Sequence, residues 1–268
     1  MAPHPSRSRG LRAVFADSAA AFLLLTRIPV FWYRFRDDEA PDFVAAQWAF
    51  PLVGLVIGGL GGIALAITTA LTFPPVLAAS LAVATMVLLT GAMHEDGFGD
   101  MLDGFGGGKD PASKAKIMHD SHIGTYAVTG LCLAIIARVG LLVALIDVAD
   151  AWQLVLVTAM MGAGGRFQVI ALLRLYPIST FAKLAQVTGR PDTIRGILGL
   201  ALWVVPMMMV LPSQGVILCL LVATAMSLWL GKLAVRQIGG LNGDVMGGTI
   251  LLSEIAILTG SILALSAV

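Results

Sequence analysis

The chain has 268 residues, 58% hydrophobic and 12% charged, with a formal net charge of +1. Soluble domains are about 45–50% apolar and about 25% charged, so an ordinary soluble enzyme and a disordered chain are both excluded; a mean hydropathy of +0.91 makes a bilayer the natural solvent. The 17 basic and 16 acidic residues are too balanced for a nucleic-acid binder, and Cys132 and Cys219 sit in apolar runs with neither metal spacing nor a disulfide framework.

In chain order, the first apolar segment is Leu11–Tyr33. It carries Asp17 and Arg27, with Pro29 near its end, and reads as an amphipathic or re-entrant helix; whether it crosses is left open. Seven stretches then reach the roughly 20 apolar residues that a span needs: Trp48–Leu71, Val76–Met93, Tyr126–Ile146, Trp152–Leu175, Ile194–Leu211, Gly215–Leu230 and Gly248–Val268. Backbone groups cannot stay unpaired in lipid, so these are helices, and the alternation of a barrel strand is absent. The predicted fold is all-α, a polytopic helical membrane protein of about seven transmembrane helices plus the N-terminal helix. No internal repeat appears, and residues 1–268 read as one domain.

Basic residues fall on alternate connections. Arg7, Arg9, Arg12, Arg34 and Arg36 precede the first span; Lys109, Lys114 and Lys116, then Lys183, Arg190 and Arg195, then Lys232 and Arg236 follow the second, fourth and sixth. The intervening connections Thr72–Pro75, Asp147–Ala151 and Pro212–Gln214 hold no Lys or Arg. Positive charge stays inside, so the basic face is expected to be cytoplasmic, and it carries the polar motifs.

The longest polar stretch begins His94-Glu95-Asp96-Gly97-Phe98-Gly99-Asp100-Met101-Leu102-Asp103-Gly104 and ends Phe105-Gly106-Gly107-Gly108-Lys109. Its four carboxylates have no cation among them, and like charges this close raise one another's pKa unless something neutralises them. Asp96, Asp100 and Asp103 lie at i, i+4 and i+7, within about 60° of each other on a helix, while Glu95 points away. Such a stripe suits a hard divalent cation: magnesium, manganese or calcium. Asp244 is expected on the same face, as a further ligand or a helix N-terminal residue. The glycines at 104 and 106–108 leave room for a phosphate, with Gly107 and Lys109 as contacts; Asp110 stands where a P-loop would have Ser or Thr.

The next stretch, Lys114 to Thr125, is basic and hydroxyl-bearing, with Lys116, His119, Asp120, Ser121 and His122. Beside an acidic stripe it fits a metal-bound diphosphate, metal on one side and donors on the other. His94 is a candidate general base. Arg138, Arg166, Arg174 and Glu254 lie in or near spans, where charge is costly and marks a site; Arg166 is a candidate phosphate partner, and Arg174 near a span end is expected to snorkel.

These residues together resemble the cobalamin synthase family, the adenosylcobinamide-GDP ribazoletransferases. The resemblance rests on Leu25 to Val30, Phe50-Pro51-Leu52-Val53-Gly54, the His94 to Gly108 block, Ile117 to Tyr126, Gly165-Arg166 and Gly243 to Gly247, in the family's order. The pair His-x-Asp-Gly-x-x-Asp-x-x-Asp-Gly and Asp-Ser-x-Ile-Gly is its most specific part. The resemblance implies a magnesium-dependent enzyme of the bacterial inner membrane. It would join adenosylcobinamide-GDP to alpha-ribazole or its 5′-phosphate and release GMP, and it leaves a homo-oligomer open. Many relatives carry Lys or Arg around Asp-Ser-x-Ile-Gly where this chain has His119 and His122, only partly charged at neutral pH. On this reading Asp96, Asp100, Asp103 and Asp244 hold magnesium; His94, Asp100 and Asp103 serve catalysis; and Gly107, Lys109, Lys116, Asp120, Ser121, His122 and Arg166 bind substrate. The acidic pattern is also similar to that of CDP-alcohol phosphotransferases, but Gly107-Gly108 stands where their signature has Ala-Arg. A cation-coupled transporter would place its ion sites near the bilayer midplane between repeated halves, which the clustering at one face argues against.

Overall fold

The computed structural model describes residues 10–35, 40–182 and 189–267. Arg7, Arg9, Arg36 and Lys183 of the charge asymmetry lie outside the described residues. Among the described residues there are ten α-helices and no strand. They are α1 (Leu11–Leu25), α2 (Phe50–Ala70), α3 (Pro75–Thr90), α4 (Met93–Gly107), α5 (Pro111–Met118), α6 (Thr125–Val148), α7 (Ala151–Leu175), α8 (Thr193–Val210), α9 (Ser213–Ile238) and α10 (Gly243–Ser266).

Six helices are long and apolar enough to cross a membrane; the Ala45–Ala49 turn extends α2 into the first of them. A seventh crossing is counted only if α3 is joined to α4 across an 88° bend. All seven predicted spans are therefore helical, but three ends differ. The second span stops at Thr90, because Gly91 and Ala92 both adopt left-handed backbone (φ +66° and +59°) and turn the chain. The sixth runs on to Ile238, carrying Lys232 and Arg236 beyond the apolar stretch. The seventh starts at Gly243, where the Asn242 side chain accepts from the Val245 N–H and caps it.

Helix α1, at 15 residues, rises only about 22 Å, short of the roughly 30 Å hydrocarbon core. It buries Ala16, Ala19, Ala20, Phe22 and Leu25 and leaves Leu11, Phe15 and Leu23 outward. Asp17 accepts a hydrogen bond from Trp48 Nε1 (3.0 Å), which fixes α1 beside the start of α2.

The main core is the α2–α7 crossing. Gly54, Gly58 and Gly62 recur every four residues, so they line one face of α2. A Cβ on Gly54 would run into the Gly162 carbonyl, and one on Gly58 into that of Thr158. The two backbones touch because this stripe has no side chains, the way helices pack where burial supplies little drive. Gly59, one residue along, faces Ala159 Cβ at an ordinary 3.8 Å. Gly58→Ala is therefore expected to destabilise by about 1–3 kcal/mol through backbone overpacking, whereas Gly59→Ala gains about 1 kcal/mol in helix propensity. Thermal unfolding of both variants in detergent checks the opposite signs.

Antiparallel crossings bring α4, α5, residues 176–182 and residues 239–242 to one end. There Ser179 N donates to the Leu241 carbonyl (2.8 Å) and Ser179 Oγ to that of Ile238 (2.7 Å). Helix α4 holds His94 and four carboxylates and turns 88° off α3. Arg174 donates to the Pro191 carbonyl (2.8 Å) and Thr193 Oγ1 (3.2 Å), so its head group is held by the start of α8.

Candidate active site

The acids sit on α4 as the i, i+4, i+7 spacing requires, past the bend that follows α3. Glu95 and Asp96 fall in its first turn, where negative charge complements the helix dipole. Helix α10 crosses α4 at two glycines. A Cβ on Gly97 would come within 3.0 Å of Asp244 Cα, and one on Gly247 within 3.2 Å of the His94 carbonyl oxygen. This close approach brings Asp244 to Asp96 and Asp100, though it lies 144 residues after Asp100 in sequence.

None of Asp96, Asp100 and Asp244 has an ion-pair partner among the described residues. Burial, then the Asp96, Asp244 and Asp103 carboxylates, push the Asp100 pKa up to about 7. A carboxylate whose folded pKa is raised adds stability below its ordinary range and loses it as pH rises through the folded value. The metal-free protein is therefore expected to lose thermal stability between about pH 4 and 7. Asp100→Asn should flatten that slope, as unfolding scans in chelator will read.

Asp103 takes a different place. Its Oδ2 accepts from the Gly124 N–H (2.6 Å) and its Oδ1 from the Ala127 N–H (2.9 Å), so it caps the first turn of α6. Among the described residues no three His, Cys, Asp or Glu side chains form a group that could hold a metal ion. Asp103 directs its oxygens at α6, and Asp96, Asp100 and Asp244 lie along the α4–α10 seam, close enough for Asp96, Asp244 and Asp103 all to act on Asp100. The donor set still fits magnesium, which keeps several waters and takes one or two carboxylates plus substrate phosphates rather than an all-protein cage.

Three adjoining depressions hold the other residues. An apolar cleft includes His94, Asp96, Arg166 and Asp244. A polar one is lined by Asp96, Asp100, Asp120, Ser121 and His122. The third, shallower, has Gly107, Lys109, Lys116 and Asp120. Asp96 is shared by the first two and Asp120 by the last two, so every candidate except Asp103 lies on one continuous track. Asp120 accepts from the His122 ring (2.7 Å) and backbone N–H (3.1 Å), which hold its carboxyl below the usual range. Lys114 Nζ donates to Gln237 Oε1, joining α5 to α9.

Sequence reasoning singled out Arg138, Arg166 and Glu254 but missed their pairing. Arg138 Nη1 donates to Glu95 Oε1 (2.7 Å) and Nη2 to Glu254 Oε2 (3.2 Å). Arg166 Nη1 donates to Glu254 Oε1 (3.2 Å) and to the Gly162 carbonyl (3.1 Å). All four side chains are buried. Two arginines and two glutamates make a chain with no net charge from α4 through α6 and α10 to α7. Beside it His94 is buried with Nε2 unpartnered. Burial, then Arg166 and Arg138, push its pKa well below the ordinary value and keep the ring neutral.

Residues 17–262 match the family described as cobalamin-5-phosphate synthase. The chain belongs to that family. Curated relatives named adenosylcobinamide-GDP ribazoletransferase include one from Bradyrhizobium diazoefficiens, 35% identical over 92% of this chain and 94% of the relative. Others come from Brucella ovis and Brucella canis, each 33% identical over 94% of this chain and 98% of the relative. No solved structure matches. The cobalamin synthase membership spans the whole track, from the cleft residues of α1 to those of α10.

Proposed function

We propose that this protein is a magnesium-dependent adenosylcobinamide-GDP ribazoletransferase, working as one domain at the cytoplasmic face of the bacterial inner membrane. It moves the phospho-cobinamide group of adenosylcobinamide-GDP to alpha-ribazole or its 5′-phosphate, the closing step of cobalamin synthesis, and releases GMP. Beyond the family, the observation carrying this reading is the set of three carboxylates that make no ion pair among the described residues, with exposed Lys109 and Lys116 in the depression next along. A diphosphate donor needs both kinds of charge, one to hold the metal and one to meet the leaving phosphate.

Asp96, Asp100 and Asp244 would hold the magnesium, which when bound supplies neutralisation of the charge on the diphosphate. Asp103 keeps the segment bearing Asp120, Ser121 and His122 against α4. Neutral His94 takes the proton from a ribazole hydroxyl. The oxygen–phosphorus bond forms as the bond from that phosphorus to the bridging oxygen breaks, and GMP leaves with the electron pair. Lys109, Lys116 and the backbone at Gly107 meet the departing phosphate.

GMP release from the protein in liposomes tests this. Release is expected only with both substrates and magnesium present. Release of CMP from a CDP-alcohol, or no release at all from the folded protein, would overturn the reading.

A further inference from the structure

The apolar cleft is not explained by diphosphate chemistry. It lies where the C-terminal end of α1 meets α2, α4, α7 and α10, and its walls include Leu24, Leu25, Phe50, Met93, Val169 and Ile250. The phosphates of a nucleotide would gain nothing from such walls. Yet two buried polar atoms among the lining residues have no hydrogen-bond partner, His94 Nε2 and Arg166 Nε. Buried polar groups are nearly always satisfied, and an orphan at a cavity asks for a ligand to satisfy it. The cleft thus calls for a molecule that is largely apolar, with a few acceptor and hydroxyl groups.

The track sorts two substrates by charge. The polar end, with Lys109, Lys116, Ser121 and His122, suits the guanosine diphosphate portion of a donor. The apolar end suits a flat heteroaromatic ring. Asp96 belongs to both, so the reacting phosphorus sits between them. Displacement at phosphorus runs in line, with the nucleophile entering from the side opposite the leaving group.

We infer that the cleft between α1, α2, α4, α7 and α10 is the acceptor subsite, taking the apolar heteroaromatic base of the ribosyl acceptor with its ribose turned toward His94 and Asp96. This rests on the transferase reading above. The ring packs on Leu25, Phe50, Val169 and Ile250; Arg166 Nε donates to an acceptor atom of the ligand; GMP departs toward Lys109 and Lys116. Leu24 and Met246, half-buried at the cleft, set the width of ring admitted.

Leu24→Trp and Met246→Trp, on different helices and each partly exposed at the edge of the core, narrow the cleft, and melting curves of both variants check that they fold. Equilibrium dialysis of alpha-ribazole against the reconstituted full chain, with neither donor nor magnesium, is expected to show at least a tenfold weaker Kd in both variants. In turnover, KM for ribazole should rise similarly and KM for adenosylcobinamide-GDP stay within twofold. An unchanged ribazole Kd in both folded variants would overturn the assignment, as would a rise in the donor KM instead. Loss of co-purifying phospholipid with ribazole binding intact would overturn it in favour of an acyl chain. A wild-type protein that binds ribazole in the cleft but releases no GMP would sink the transferase reading and leave the subsite standing.

Discussion

Asp100→Asn is expected to lower magnesium-dependent GMP release by about 10²–10³-fold, the usual cost of removing a group that organises transition-state charge. The fold should survive, because Asp100 is only half-buried and its carboxylate is repelled by Asp96, Asp244 and Asp103. Removing one of several crowded negative charges relieves strain in the metal-free protein, so activity and stability should move in opposite directions. Asp103→Asn makes the contrast. It weakens the cap on α6 and is expected to lose about 1 kcal/mol of stability. Steady-state rates together with melting curves for the two variants separate the roles. A rate for Asp100→Asn within tenfold of wild type would remove Asp100 from the site.

The largest stability effect is expected at Glu254. Its two oxygens accept from Arg138 and Arg166, and the chain of four is neutral only while it is complete. Glu254→Gln leaves an uncompensated buried positive charge, at a cost of about 3–5 kcal/mol. The double variant Glu254→Gln with Arg166→Gln restores neutrality and should recover part of that loss. Urea or thermal unfolding in detergent reads both. If the single variant melts with wild type, the ion pairs hold nothing together.

The spans and the α4 stripe were legible because each depends on local residue pattern: run length and helical period. Glu95 was rightly set apart from Asp96 and Asp100 by its angle alone. The bend at Gly91-Ala92 was not legible, since an alanine with positive φ carries no residue signal, although Gly91 could have been read as the end of a helix. The pairing of Arg138 with Glu95 and Glu254 joins positions 43 and 116 residues apart, and no local period encodes that. The contacts of Asp103 with the start of α6 were hidden for a related reason. Its spacing put it on the stripe, but the N–H groups that claim its oxygens belong to a helix starting some twenty residues later.

The neutral chain of four also orders biogenesis. Arg138 and Arg166 precede Glu254 in the chain, so both are synthesised before their shared partner. Until α10 arrives, Glu95 is the one carboxylate of these four groups present beside two arginines. Insertion of the last described helix therefore closes the charge balance of the whole bundle. Without α10 one of the two arginines would be left buried and unpaired, which is costly.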